Sequence, residues 1–195
     1  MTQSASNLRV RRTQKLLREA LIELIEERSF DALTIGELTE RAMVSRAAFY
    51  RNYQDKYDLV EQIFEEAMSA LLNAVGEMGP EQHPPEVWVT FFEHIAKYER
   101  LYRALLGSKG SSWFVRKMRA ALSDMVTMHG HGHRLSADRT VRMFLDDLLP
   151  DLVSTMLVAA ITWWLEHARP STLREMTTRC ALLMSAFFKE VSTWY

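Results

Sequence analysis

The chain has 195 residues, 48% of them hydrophobic, with 24 lysines and arginines against 25 aspartates and glutamates and a formal net charge of −1. That length and apolar fraction supply a large core, in one domain or two small ones, and exclude a disordered chain. The near-zero charge does not by itself argue nucleic-acid binding, so the case for it rests on where the cations are placed. The single cysteine, Cys180, has no internal disulfide partner. Residues 1–7 lack the apolar core of a secretion signal, so the expected location is cytoplasmic.

In chain order, the cations Arg9, Arg11, Arg12 and Lys15 precede a long helix whose apolar stripe is Leu17, Ala20, Leu21, Leu24 and Ile25, ending near Phe30. Residues 33–53 then read as two short helices joined by a tight turn. Thr34, with Glu37 three residues on, makes a capping box that starts the first. Ile35, Leu38 and Ala42 recur at helical spacing, Val44 sits in the turn, and Phe49 with Tyr53 supplies the apolar side of the second helix. Ser45 caps that helix. Its first turn presents Arg46, Ala47 and Ala48, followed by Tyr50 and Arg51, on the face that Phe49 leaves free.

Small residues there let a helix approach base edges. An arginine at such a start can bridge guanine O6 and N7, while tyrosine and later basic residues suit phosphate oxygens. Two amphipathic helices around a turn also occur without nucleic acid, and it is the flanks that favour a DNA-reading unit. Asp55 caps the next helix, with Lys56 at its first position and Asp58 at its third, where backbone amides can also hold a phosphate. Residues 1–56 hold 10 Lys/Arg and 8 Asp/Glu, net +2, leaving 14 against 17, net −3, for the remainder.

Four segments, Phe30-Asp31-Ala32-Leu33-Thr34-Ile35, Arg41-Ala42-Met43-Val44-Ser45, Ala48-Phe49-Tyr50 and Tyr53-Gln54-Asp55-Lys56-Tyr57-Asp58-Leu59, stand in an order and spacing that resembles the TetR family of bacterial one-component transcriptional regulators. The resemblance covers about residues 9 to 75. It implies an all-α fold with a three-helix helix-turn-helix head, residues 1–55, and a helical regulatory and dimerisation body, residues 56–195. It also implies that Thr34, Tyr50 and Lys56 hold phosphates and that Arg46, Ala47, Ala48 and Arg51 face bases. Arg9, Arg11, Arg12, Ser45 and Asn52 complete the expected double-stranded DNA contacts. The chain departs from the family twice. Met43 stands where glycine is usual, and glycine tolerates a positive φ that methionine resists. Asn52 stands where histidine is frequent, and it can donate to a phosphate or read adenine.

The helix from Lys56 to about Val75 buries Leu59, Ile63, Ala67, Ala70, Leu71 and Ala74, and is the covalent bridge from head to body. After a break at Gly76 to Pro85, a single helix over 84–107 carries Trp88, Phe91, Phe92, Ile95, Tyr98, Tyr102 and Leu105 on one side, with His94 beside them. A helix over 111–128 adds Trp113, Phe114, Met118, Ala121, Leu122 and Met125. Stripes of this kind are ordinary core. Because family members often bind small apolar effectors between such helices, Trp88, Phe91, Phe92, His94, Ile95, Tyr98, Tyr102, Trp113, Phe114, Met118 and Met125 are also the expected lining of a pocket for a small apolar or aromatic effector. The alternating His129, His131 and His133 suit either a metal clasp or a solvated glycine-rich turn; the turn is favoured, and no metal or cofactor is expected.

A short helix over 136–145 follows. Pro150 then opens a helix over 151–167 that is apolar nearly all round, and a last helix over 172–193 carries a second apolar surface. One such helix can be hidden inside the chain; two predict an isologous four-helix homodimer interface through Leu152, Met156, Ala160, Trp163, Trp164, Met176, Leu183 and Phe187, with a thick monomer core as the alternative. The apolar run 152–165 is interrupted by Ser154, Thr155 and Thr162 and falls short of the roughly 20 residues a membrane span needs. No nucleophile elbow, phosphate-cradling glycine loop or metal motif points to an enzyme. The functional expectation is a homodimeric repressor released from a palindromic operator by a small molecule. The alternatives are a constitutive DNA-binding regulator or a protein-recruiting adaptor.

Overall fold

The stripe Leu17, Ala20, Leu21, Leu24 and Ile25 is the buried side of the first helix, α1 (Thr2–Glu27). In this computed structural model, which describes residues 2–76, 84–107, 110–129 and 148–191, every regular element is helical and no strand occurs among the described residues. Helix α1 begins well ahead of its buried stripe. Arg9, Arg11, Arg12 and Lys15 therefore lie within the helix as exposed residues, not on an arm that precedes it.

A single 3-10 turn, Phe30–Ala32, leads to α2 (Ile35–Arg41) and α3 (Arg46–Tyr50). Thr34 caps α2 in the expected box: its hydroxyl accepts from the Glu37 N–H, and the Glu37 carboxylate accepts from the Thr34 N–H. Met43 adopts φ 53°, the left-handed conformation that glycine would take without strain, and leaves its side chain 88% exposed. Two backbone bonds hold the turn there, Met43 N–H to Glu40 O and Val44 N–H to Thr39 O, both 3.0 Å. Leu17, Leu21, Leu38 and Phe49 are fully buried together at the centre of this head.

Helix α4 (Lys56–Gly76) buries Leu59, Ile63, Ala67 and Leu71. Asp55 caps it by accepting from the N–H groups of Tyr57 and Asp58. The region expected as one helix over 84–107 is two, α5 (Pro84–Lys97) and α6 (Glu99–Leu106), broken at Tyr98, where the backbone turns to φ −107°, ψ 32°. No glycine or proline marks the break. The two halves pack on different partners, α5 along α4 and the last helix, α6 against α1 and the penultimate helix.

Helices α7 (Ser112–His129), α8 (Leu149–Glu166) and α9 (Leu173–Val191) complete the body, with α7 lying along α8. Pro150 occupies the first turn of α8, as its missing N–H requires. Thr172 and Glu175 form a second capping box at the start of α9. Of the histidine run, His131 and His133 lie outside the described residues, as does the expected helix over 136–145. No helix among the described residues is long and apolar enough to cross a membrane.

Candidate nucleic-acid interface and its links to the body

Helix α3 is anchored by one side and open on the other. Phe49 is fully buried, edge-on to Tyr50 and tilted against Tyr53, with centroids 5.5 and 5.7 Å away. Ser45 Oγ accepts from the Ala48 N–H at 3.1 Å and starts the helix. Arg46, Ala47, Tyr50 and Arg51 are exposed and Ala48 is half-buried. The Arg46 guanidinium lies over the first turn of α2: a Cβ added at Gly36 would stand 2.9 Å from its Nη2 and 3.6 Å from Thr34 Oγ1. Arg46 and Thr34 therefore share one surface.

The cations of the head fall into two sets. Arg41 is held by Glu27 and Glu23, at 2.9 and 3.2 Å, and Arg28 by Glu37. Arg9, Arg11, Arg12, Arg46 and Arg51 form no ion pair with any described residue. An unpaired exposed cation is free to exchange its counterions for phosphate oxygens.

Lys56 departs from the sequence-based expectation. Its ammonium donates to the carbonyls of Phe30, Asp31 and Leu33 at 2.8–2.9 Å and lies 5.0 and 5.4 Å from the ring centroids of Phe30 and Tyr57. Burial holds its pKa below the ordinary lysine value. All three N–H donors are spent inside the chain, so the side chain cannot also grip a phosphate. Two other polar groups are partly committed: Asn52 Nδ2 donates to Ala48 O at 2.7 Å, and the Thr34 hydroxyl donates to Glu37 at 2.8 Å.

Among the described residues, head and body are also tied through Arg18, Arg100 and Ser111. Arg18 of α1 forks onto Glu66 of α4, at 2.5 and 3.1 Å, and donates to Tyr98 Oη at 3.3 Å, where α5 meets α6. Burial alone would lower the Arg18 pKa, but the Glu66 carboxylate outweighs it and keeps the guanidinium charged. Arg100 of α6 pairs with Glu26 of α1. Ser111 Oγ, just before α7, donates to Asp31 at 3.2 Å. Next to it, Trp113 stacks on Phe30 at 6.1 Å and meets Tyr57 edge-on at 4.8 Å. Trp113 thus belongs to the head–body seam, not to the body's interior where the sequence reading put it.

Of the other residues read as pocket lining, Tyr98 is half-buried beside Arg18 at the seam and the rest pack in the body. Phe91, Phe92, Ile95, Phe114 and Met118 are fully buried, and Trp88, Tyr102 and Met125 nearly so. His94 lies tilted against Tyr98 at 4.8 Å and meets Tyr102 edge-on at 6.0 Å. Burial pushes the His94 pKa down to about 4, so its ring is neutral at pH 7, and it pushes the Tyr102 phenol up. Cys180 is also raised, to about 11, by burial alone, which makes it packing material rather than a reactive thiol.

On the far side of the body, Leu152, Trp163 and Leu183 are exposed at 44%, 48% and 58%, while Met156, Ala160 and Phe187 are half-buried. Leu152, Met156, Ala160 and Trp163 line up along α8. Trp164 and Met176 do not join this surface. Trp164 is 1% exposed, packs edge-on to Phe92 and donates its indole N–H to Ser171 O at 3.0 Å, and Met176 is 6% exposed. Both belong to the chain's own core.

Residues 17–63 match the family model described as "Bacterial regulatory proteins, tetR family", and residues 82–186 match one described as "Transcriptional regulator C-terminal region". A curated relative, the "Uncharacterized HTH-type transcriptional regulator YxbF" of Bacillus subtilis (strain 168), is 34% identical over 59 residues, which are 30% of this chain and 16% of that protein's length. Among solved structures, a TetR transcriptional regulator from Streptococcus agalactiae 2603V superposes with a TM-score of 0.62 at 19% identity, covering 93% of this chain and 98% of that one. "Dihydroxyacetone kinase operon activator DhaS" gives 0.58 at 14% identity, covering 91% and 96%. A transcriptional regulator from Aquifex aeolicus VF5 gives 0.51 at 16% identity, covering 90% and 99%. At these identities the structures share the fold.

Proposed function

The chain belongs to the TetR family and is a DNA-binding transcriptional regulator, not an enzyme; on that footing we propose that it is a homodimeric repressor which grips a palindromic operator and releases it when a small molecule enters the body. The observation that carries the DNA-reading part is the sorting of cations in the head. Those that serve the fold are paired with carboxylates, whereas Arg46 and Arg51 flank an exposed Ala47 and Tyr50 with no counter-charge. In this reading Arg46 reaches base edges, Tyr50 and Arg51 meet phosphates and bases, and Arg9, Arg11 and Arg12 add phosphate contacts along α1.

One five-residue helix makes few contacts. Two of them on a two-fold axis, in successive major grooves about 34 Å apart, supply the missing specificity. The exposed Leu152–Trp163 stripe of α8, with Leu183 of α9, is the surface through which a second copy would bring them together. Release then follows from linkage. A molecule that prefers a body conformation with displaced heads lowers operator affinity by its difference in affinity for the two states.

Fluorescence anisotropy on DNA from upstream of the protein's own gene tests the core of this reading. Arg46→Ala and Arg51→Ala are each expected to weaken binding by about 10-fold, at the level of one good bidentate or phosphate contact. Operator binding indifferent to both substitutions would overturn it.

A further inference from the structure

Most buried polar groups of this chain are satisfied from within: Thr39 donates to Ile35 O, Ser111 to Asp31, Ser154 to Asp151 O and Thr177 to Leu173 O. Of the six buried side-chain polar atoms left without a partner among the described residues, two share one cluster. Tyr102 Oη on α6 and His94 Nε2 on α5 are both shut off from solvent and form no hydrogen bond, although the Ile63 carbonyl lies near the imidazole, and their rings are 6.0 Å apart. Leaving such groups unpaired is unfavourable, and two of them on neighbouring rings of two helices are a polar handle offered to a bound molecule.

The surroundings define what that molecule is. Phe114 lies 5.9 Å from Tyr102 and 5.6 Å from Phe64, so the walls are aromatic. The charges that face His94 are already matched or directed elsewhere. Arg18 is forked onto Glu66, and Lys97 lies on its neighbour Tyr98. No unmatched charge faces the handle to hold an ion, so a neutral ligand fits and a charged one does not.

The cluster is also wired to the head. The His94 ring lies tilted against Tyr98, whose hydroxyl accepts from Arg18 of α1. Tyr98 sits at the break between α5 and α6, so a molecule that shifts His94 or Tyr102 moves the two halves that Tyr98 joins and pulls on α1.

We propose that the effector is a neutral aromatic molecule with one hydroxyl or carbonyl group that pairs with Tyr102 Oη and His94 Nε2, and that it acts on the DNA-binding head through Tyr98 and Arg18. This rests on the effector-site reading above and adds the ligand's chemistry and the route of its signal.

Phenol, with toluene as the shape-matched probe lacking the hydroxyl, separates the possibilities. Both are titrated calorimetrically into the full chain and into Tyr102→Phe, which removes only the unpaired oxygen and is expected to fold at least as stably. Tyr102→Phe is expected to weaken phenol about 10-fold and leave toluene unchanged. In Arg18→Met, which removes the donor to Tyr98 and leaves the half-exposed Glu66 to water, phenol is expected to bind as before but no longer to weaken binding to the upstream DNA.

If Tyr102→Phe weakens neither probe, the polar handle is wrong while the effector site stands. Failure of both probes to bind the unaltered chain overturns the handle and the site together. Undiminished release of DNA by phenol in Arg18→Met overturns the relay alone.

Discussion

Replacing Lys56 by methionine separates a phosphate grip, which the family likeness implies, from the carbonyl cage that the structure contains. The ammonium makes three bonds of 2.8–2.9 Å and covers the Phe30 ring. Charge-assisted hydrogen bonds contribute about 1.5–3 kcal/mol each before costs. Two effects reduce the total: the ammonium is partly desolvated, which lowers its pKa, and Asp31 and Ala32 are exposed, so water can replace some of the lost bonds. Methionine keeps the apolar stem over Phe30. The expected net loss is about 2 kcal/mol, close to a 30-fold shift in the folding equilibrium. Urea unfolding followed by tryptophan fluorescence reads it directly, because Trp113 stacks on Phe30 beside the cage. The slope of log affinity for DNA against log salt should stay the same. Stability unchanged to within about 0.5 kcal/mol, together with a salt slope lower by about one, would refute the cage and restore the phosphate role.

Gly36→Ala should raise thermal stability by about 0.5–1 kcal/mol, since alanine favours a helix and only the flexible end of Arg46 stands in its way. Operator affinity should fall in the same variant as the guanidinium is displaced, and a less stable chain with unaltered DNA binding would contradict this. His94 has a pKa near 4 in the folded chain against an ordinary 6.5, so the unfolded chain binds the proton more readily and the stabilisation, intact above about pH 6.5, is lost as the pH falls towards about 4. After a discount for the ring's partial exposure, urea unfolding should show about 1 kcal/mol of His94-dependent loss between pH 7.5 and pH 5, absent from His94→Gln. Leu183→Asp, at a position 58% exposed on α9, should yield monomers in sedimentation and abolish tight operator binding while leaving helicity intact; a dimer of unaltered mass would remove this face from the interface.

Features written within one turn of helix were legible in the chain. The Thr34–Glu37 box, the Ser45 and Asp55 caps and the Pro150 start need only side chains and amides two to four residues apart, and each formed. The same local signal, Thr172 followed by Glu175, starts α9. The glycine expected at position 43 pointed correctly to a left-handed residue there, which methionine supplies under strain.

What failed was whatever depends on distant partners. On a helix apolar all round, periodicity carries no phase, so Trp163 and Trp164 looked alike until Phe92 and Ser171 O claimed the second. The break at Tyr98 arises because α5 and α6 answer to different neighbours. Lys56 looked like a surface cation because its three acceptors lie 23 to 26 residues away.

These contacts also bear on how a head can be both held and released. Arg100–Glu26 is an exposed pair, and such pairs are weak and screened by salt. Ser111–Asp31 is one neutral-to-charged hydrogen bond. The Arg18 fork is stronger because the arginine is only 18% exposed, yet its Glu66 partner is 46% exposed and open to water. None of these resembles the sealed core that joins α1 to α2 and α3. The Lys56 cage, by contrast, ties the start of α4 to the loop at 30–33, so head and bridging helix move as one piece. A seam of several modest contacts beside a rigid joint lets the head and α4 swing together against the rest of the body while the head's own fold stays intact. A single strong contact at the seam would make the same motion too costly for the binding energy of a small ligand.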